Sequence, residues 1–180
     1  APHHLVILPI FREDGEKATV LEFCNSLAKE LRAQNYHGEV LRVHLDTREM
    51  RGGEKAWQWV KKGVPIRLEI GPRDVAGGSV FMARRDKGVK EKAGVPRGEF
   101  VATATKILDE MQSGLFAKAK AFRQQHSHEI NSLDELKALF AGGEDATKGF
   151  AYAHWVESEV ADKTSKEMKL SLRCVPLGQE

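Results

Sequence analysis

The chain has 180 residues, 41% of them hydrophobic and 30% charged, with a formal net charge of +2, a balance that suits a soluble globular protein with one large domain or two small ones. No apolar run reaches the roughly 20 residues that span a bilayer, and the opening APHHLVILPI lacks the charged n-region and cleavage site of a signal peptide. Two cysteines, Cys24 and Cys174, are too few for a disulfide scaffold and suit a reducing cytoplasm.

His4–Ile10 is an apolar run and reads as a buried strand. Glu13–Asp14–Gly15 opens a helix that runs to about Asn35, with Val20, Leu21, Cys24, Leu27, Ala28 and Leu31 on one apolar face. Val40, Leu41, Val43 and Leu45 form a second strand, and the polar stretch Asp46–Gly53 reads as an exposed loop. A short helix, Glu54–Lys62, carries Trp57 and Trp59 two positions apart, so at most one of them packs inward. Gly63 and Pro65 stop it. Ile66, Leu68 and Ile70 alternate with Arg67 and Glu69, which predicts a third strand with one polar face. Gly71–Pro72 breaks that strand and leaves Arg73–Asp74 on a short exposed turn. Gly77–Gly78 is a turn signal before a fourth strand, Val80–Arg85, and Val89–Val95 adds a fifth.

A long helix from Glu99 to about Gln125 follows, with Phe116 and Phe122 among its apolar positions. A helix containing Leu133, Leu136, Leu139 and Phe140 leads to a Gly142–Gly143 turn. Strand Phe150–Trp155, helix Val156–Met168 and strand Lys169–Val175 close the chain. The expected fold is α/β: a mixed sheet flanked by helices over residues 1–112, followed by the connector helix and a small α/β domain over residues 113–180.

Charge is unevenly placed. Residues 42–97 hold 14 of the 28 Lys/Arg but only 7 of the 26 Asp/Glu, a local net charge of +7. Such a segment is what a polyanion site needs. Catalytic chemistry is not in evidence: there is no Gly-rich phosphate loop, no His-Glu-x-x-His and no nucleophile elbow. His126 and His128 stand two apart near a helix end and do not share a face. The residues therefore point to a binding module.

The run from Lys62 through Gly-Val-Pro-Ile-Arg-Leu-Glu-Ile-Gly-Pro-Arg to Asp74 closely resembles a signature of the anticodon-binding domain of prolyl-tRNA synthetases of the archaeal/eukaryotic-like type. Leu45-Asp46-Thr47-Arg48, Arg84-Arg85-Asp86, Ala119–Arg123, Gly149–Trp155 and Arg173-Cys174-Val175-Pro176 are similar to further family segments, in the family's order. The resemblance implies that Pro65, Arg67, Arg73 and Asp74 line an anticodon site. Bases of a single-stranded anticodon can be splayed out and read on their edges. Guanine offers acceptors to an arginine and donors to a carboxylate, and Arg73–Asp74 supplies that pair, with Arg67 on the polar side of the strand before it. Lys61, Lys62, Arg84, Arg85, Lys87, Lys90 and Lys92 are candidates for phosphate contacts, which add affinity without sequence choice.

The same resemblance implies a parent proline–tRNA ligase that uses ATP and Mg²⁺ in a catalytic domain outside this chain, pairs as a homodimer, works in the cytoplasm and binds proline tRNA. The chain itself is expected to be non-catalytic and to need no cofactor. Two departures stand out. Val60 occupies a position that is usually acidic. Of the cysteines that hold a structural zinc in many relatives, Cys174 alone matches a ligand position, so no metal is expected. Apolar packing by Trp155, Val156 and Val160 is expected to take the metal's place. The alternative reading is a repurposed RNA- or protein-binding paralogue without ligase activity.

Overall fold

The computed structural model describes residues 1–11, 14–141, 149–156 and 158–174. Strand β1 (Leu5–Pro9) leads into helix α1 (Asp14–Arg32), a two-residue hairpin of β2 (Asn35–Tyr36) and β3 (Glu39–Val40), and strand β4 (Val43–Leu45). Helix α2 (Gly52–Lys61), strand β5 (Ile66–Ile70), short helix α3 (Pro72–Gly77), β6 (Ser79–Arg84), β7 (Lys92–Pro96) and the long helix α4 (Arg97–Gln125) follow. One five-stranded sheet results, in the order β4-β1-β5-β6-β7. β1 runs parallel to β4 and β5, whereas β6 and β7 are antiparallel additions. The mixed α/β sheet flanked by helices is the expected fold.

The two faces of this sheet differ. Leu5, Ile7, Val43, Ile66, Leu68, Ile70 and Val80 share one face by register, and α1 and α4 cover it with Val20, Cys24, Leu27, Leu31, Phe100, Ala104, Leu108 and Met111. That is the main core, and burying side chains of this size contributes about 1.5–3 kcal/mol each. On the other face Val6 and Leu8 pack with Trp59 of α2 and with Val64, a much smaller cluster. This second cluster involves only β1 among the strands. β5, β6 and β7 keep that face free of any apolar cluster among the described residues.

Residues 1–116 form one unit and residues 117–180 another, the division falling within α4. The second unit has β8 (Ser127–Ile130) paired in parallel with β9 (Phe150–Ala153), and helices α5 (Leu133–Phe140) and α6 (Glu159–Glu167). Ser132 and Ser158 cap α5 and α6 by accepting from the backbone N–H groups of Glu135 and Ala161 at 3.2 Å each.

Several expectations are corrected. Asp46, assigned to an exposed loop, is buried. Trp155, Val156 and Val160 do not pack together as a substitute core; they are 41%, 76% and 75% exposed, and α6 buries no residue. Phe116 and Phe122, placed among the apolar positions of α4, are also exposed. Residues 170–174 form no strand, and Lys169 has φ +54°, which turns the chain where a strand was expected to start. Glu13, the Gly142–Gly143 turn and the Val175–Pro176 end of the last matched segment lie outside the described residues.

Candidate nucleic-acid interface

The stretch from Pro65, just before β5, through the first turn of α3 holds the four residues singled out for base recognition. Pro65 immediately precedes β5; its carbonyl accepts the Arg85 N–H at 2.9 Å. It borders a cleft of ≈ 190 Å³ together with His4, Tyr36, Arg85, Leu108 and Gln112. Arg73 and Asp74 are not on a loose turn but in the first turn of α3, where Pro72 presets the helical backbone. Asp74 accepts the Gly71 N–H through Oδ2 at 2.8 Å, which fixes its carboxylate at the helix start. Arg73 is exposed and makes no hydrogen bond or ion pair among the described residues. The local Arg73–Asp74 ion pair that proximity in sequence would allow is not formed.

Among the described residues three charged or polar ones are buried, and they divide into two kinds. Asp46 accepts from Arg48 through both oxygens, at 2.8 and 2.7 Å, and from the Trp59 indole N–H at 2.7 Å. The Arg48 guanidinium beside it holds the Asp46 carboxyl well below the usual carboxylate range. Lys55 donates to the Asp46 carbonyl at 3.3 Å, and burial lowers its ammonium pKa. Both belong to one internal network that anchors α2 to the end of β4.

Arg67 is different. It is 4% exposed, yet its guanidinium has no hydrogen bond or ion pair among the described residues. Burial lowers its pKa, and the charge of nearby Glu69 opposes that shift. None of its nitrogens is both sealed from solvent and unpaired, so its donors face an opening. The strand was expected to carry a polar face with Arg67 on it. The residue is on that face, but as a recessed group beside Val6 on β1 and Ala83 on β6.

The same register sets Glu69 opposite Phe81, Phe81 opposite Gly94 and Ala83 opposite Lys92. Lys92 donates to both Glu69 oxygens, at 2.7 and 2.8 Å. Glu69 and Phe81 share this face with Arg67 and were not among the residues singled out from the sequence. Strand alternation alone places them with Arg67, once β5 and β6 are known to pair antiparallel.

The basic residues separate similarly. Lys61 and Lys62 end α2, both exposed, and the Lys62 Nζ lies 4.2 Å from the centroid of the Trp59 ring. Lys87 and Lys90 are exposed on the turn after β6. Arg85 reaches back to the Gly63 carbonyl at 2.8 Å. Arg84, one of the phosphate candidates, shares the α4-covered face with Ile66 and pairs with Asp86 at 2.8 Å and Glu110 at 3.5 Å. It is turned away from Arg67 because consecutive strand residues point to opposite faces. Trp59 is the tryptophan that packs inward; Trp57 is 51% exposed. Among the described residues no group of three or more His, Cys, Asp or Glu could hold a metal, and no helix is long and apolar enough to cross a membrane.

Comparison with known proteins agrees with this fold. The anticodon binding domain family matches residues 4–107. Over 180 residues the chain is 49% identical to the proline–tRNA ligase of Bdellovibrio bacteriovorus, covering all of this chain and 36% of that protein. It is 43% identical to the proline–tRNA ligase of Akkermansia muciniphila, over 99% of this chain and 35% of that one. The crystal structure of prolyl-tRNA synthetase from Cryptosporidium parvum, solved with L-proline and AMP, superposes with a TM-score of 0.76 at 28% identity over 94% of this chain and 34% of that chain. The chain thus spans about a third of the length of these relatives. It belongs to the anticodon-binding domain family, in the form carried by proline–tRNA ligases.

Proposed function

We propose that the chain reads the anticodon of proline tRNA for a proline–tRNA ligase of the archaeal/eukaryotic-like type, a parent that works in the cytoplasm as a homodimer. ATP and Mg²⁺ would act in that parent's catalytic domain, and the residues of this chain would need no cofactor.

The observation that carries the reading is Arg67. Its guanidinium has no internal partner among the described residues, is recessed in the sheet face with its donors toward an opening, and stands on the strand that leads into Arg73 and Asp74. An unstacked guanine supplies what it lacks: O6 and N7 accept a bidentate pair from an arginine, and N1–H and N2–H donate to a carboxylate. Asp74 uses Oδ2 for the Gly71 N–H and keeps acceptor capacity on Oδ1. Pro65 borders the start of the strand, and exposed Lys61, Lys62, Arg85 and Lys87 would add phosphate contacts.

Arg67→Met tests this. Removing an unpaired buried charge should leave the thermal midpoint unchanged or higher. Discrimination between a proline anticodon stem-loop RNA and one with both guanines replaced should fall by about 1–3 kcal/mol. Retention of wild-type discrimination by this variant would remove Arg67 from the reading. Equal binding of both RNAs by the wild-type chain would favour the repurposed paralogue, toward which Val60 at a usually acidic position already leans.

A further inference from the structure

The open half of the sheet face holds more than the arginine. Phe81 sits in the middle of β6 on the same face as Arg67, yet it is 37% exposed. The core has no use for it: its neighbours Val80 and Ala83 are buried, whereas Phe81 belongs to neither apolar cluster. Its cross-strand neighbours are unequal. Glu69 stands opposite on β5 and Gly94 opposite on β7. A Cβ added at Gly94 would meet nothing within 4 Å, so the flank of the ring toward β7 lies over bare backbone and open space. In the next row Ala83, between Arg67 and Lys92, keeps the floor low. Lys92, tied to Glu69, places its ammonium 5.8 Å from the Phe81 ring centroid.

From this arrangement we infer that Phe81 is a stacking platform for one unstacked nucleotide of the anticodon loop, a neighbour of the guanines read by Arg67, with Gly94 as the gap the base enters. The inference rests on the anticodon-reading function proposed above and extends it to a position that selects for a flat base of any identity. Side chains in a sheet stand roughly perpendicular to it, so a ring beside a glycine offers a face at about the height of a base lying on the strand. Exposed aromatic rings on an open sheet face bind single-stranded nucleotides through their π-faces, and an adjacent cation serves the phosphate. Lys92, paired with Glu69, and Arg67, without a partner among the described residues, flank Ala83, which leaves this part of the face with a net positive charge toward a phosphodiester. An aliphatic or protein partner would call for a wider apolar surface than the one ring that this face exposes.

The test uses the whole chain and a proline anticodon stem-loop RNA, together with stem-loops made abasic at single positions next to the guanines. Phe81→Ala should weaken binding about tenfold. At one position the abasic RNA should cost the wild type a similar factor and cost Phe81→Ala nothing more, the non-additivity expected of two partners in one contact. Gly94→Val, which suits an exposed strand and meets no neighbour in the protein, should weaken binding comparably with no loss of thermal midpoint. Wild-type binding by both variants, or a Phe81→Ala loss undiminished with every abasic RNA, would overturn the platform. Guanine replacement keeps the two proposals apart. A wild-type chain that distinguishes guanines while Phe81→Ala is silent retains the function and loses the platform; a chain indifferent to guanine loses the function.

Discussion

A carboxylate without solvent exposure persists as an anion only where donors surround it, and Asp46 has Arg48 on both oxygens and the Trp59 indole on one. Because the carboxyl sits well below its unfolded value of about 3.9, the folded state binds fewer protons than the unfolded one in acid. Its contribution is therefore fully present above the unfolded value and is lost as pH falls toward the folded one. Asp46→Asn should cost on the order of 3 kcal/mol at pH 7, through loss of the bidentate pair and imperfect acceptance of the indole N–H. In urea unfolding the gap between wild type and variant should narrow by about 1 kcal/mol at pH 3. A gap that stays constant or widens in acid would show that the charge at Asp46 is not what anchors α2. None of this was visible in the sequence. Asp46 opens a polar stretch, and its indole partner is 13 residues away, a contact made only when α2 folds back over β1. Arg67 was legible in part: alternation gave its face, while its burial and lack of a partner depend on how Val6 and Ala83 flank it.

At the scale of elements, α2 supplies a paired test with opposite signs. Gly63 follows its C-terminus with φ +67°, a left-handed conformation that costs an L-residue roughly 1–2 kcal/mol. The nearest atom to an added Cβ is Arg85 Nη1 at 3.5 Å, so steric crowding adds little. Gly53 lies within α2 and has open space around it. Gly63→Ala should lower the thermal midpoint by about 2–4 °C, whereas Gly53→Ala should raise stability by roughly 0.4–1 kcal/mol. If both shifted in the same direction, the backbone conformation would not be what sets the sign. Gly63 was read correctly as a helix stop because that role depends on local chain geometry. The same local character explains β1, β5 and α1, whose apolar patterns are long enough to declare their period. The hairpin β2–β3 and the six-residue α3 fall below that length. Ser-His-Glu-Ile of β8 has no apolar alternation, and it becomes a strand by pairing with β9, more than twenty residues later.

For the molecule as a whole, the distribution of buried side chains sets where stability resides. Among the described residues, Ile130 is the one buried hydrophobic residue outside residues 1–116. Every helix of the sheet unit and every strand but β3 contributes to the apolar clusters or packs against them, so these elements should open together, near the global free energy of unfolding. The unit spanning residues 117–180 has two short paired strands, two capped helices with no buried residue, and exposed Phe150, Tyr152 and Trp155. Its backbone hydrogen bonds are not backed by comparable apolar burial, and burial is the dominant favourable term. Native-state hydrogen exchange of the whole chain should therefore show β1, β5 and α1 amides protected by several orders of magnitude more than those of β8, β9 and α6. Denaturant should speed exchange of the first group steeply, because global unfolding exposes much surface, and of the second group only weakly. Equal protection in the two units, with equal denaturant dependence, would mean that residues 117–180 draw their stability from the core of the sheet unit. An RNA-reading face on a rigid sheet, joined to a separately opening unit, would in that case be the wrong picture of this chain.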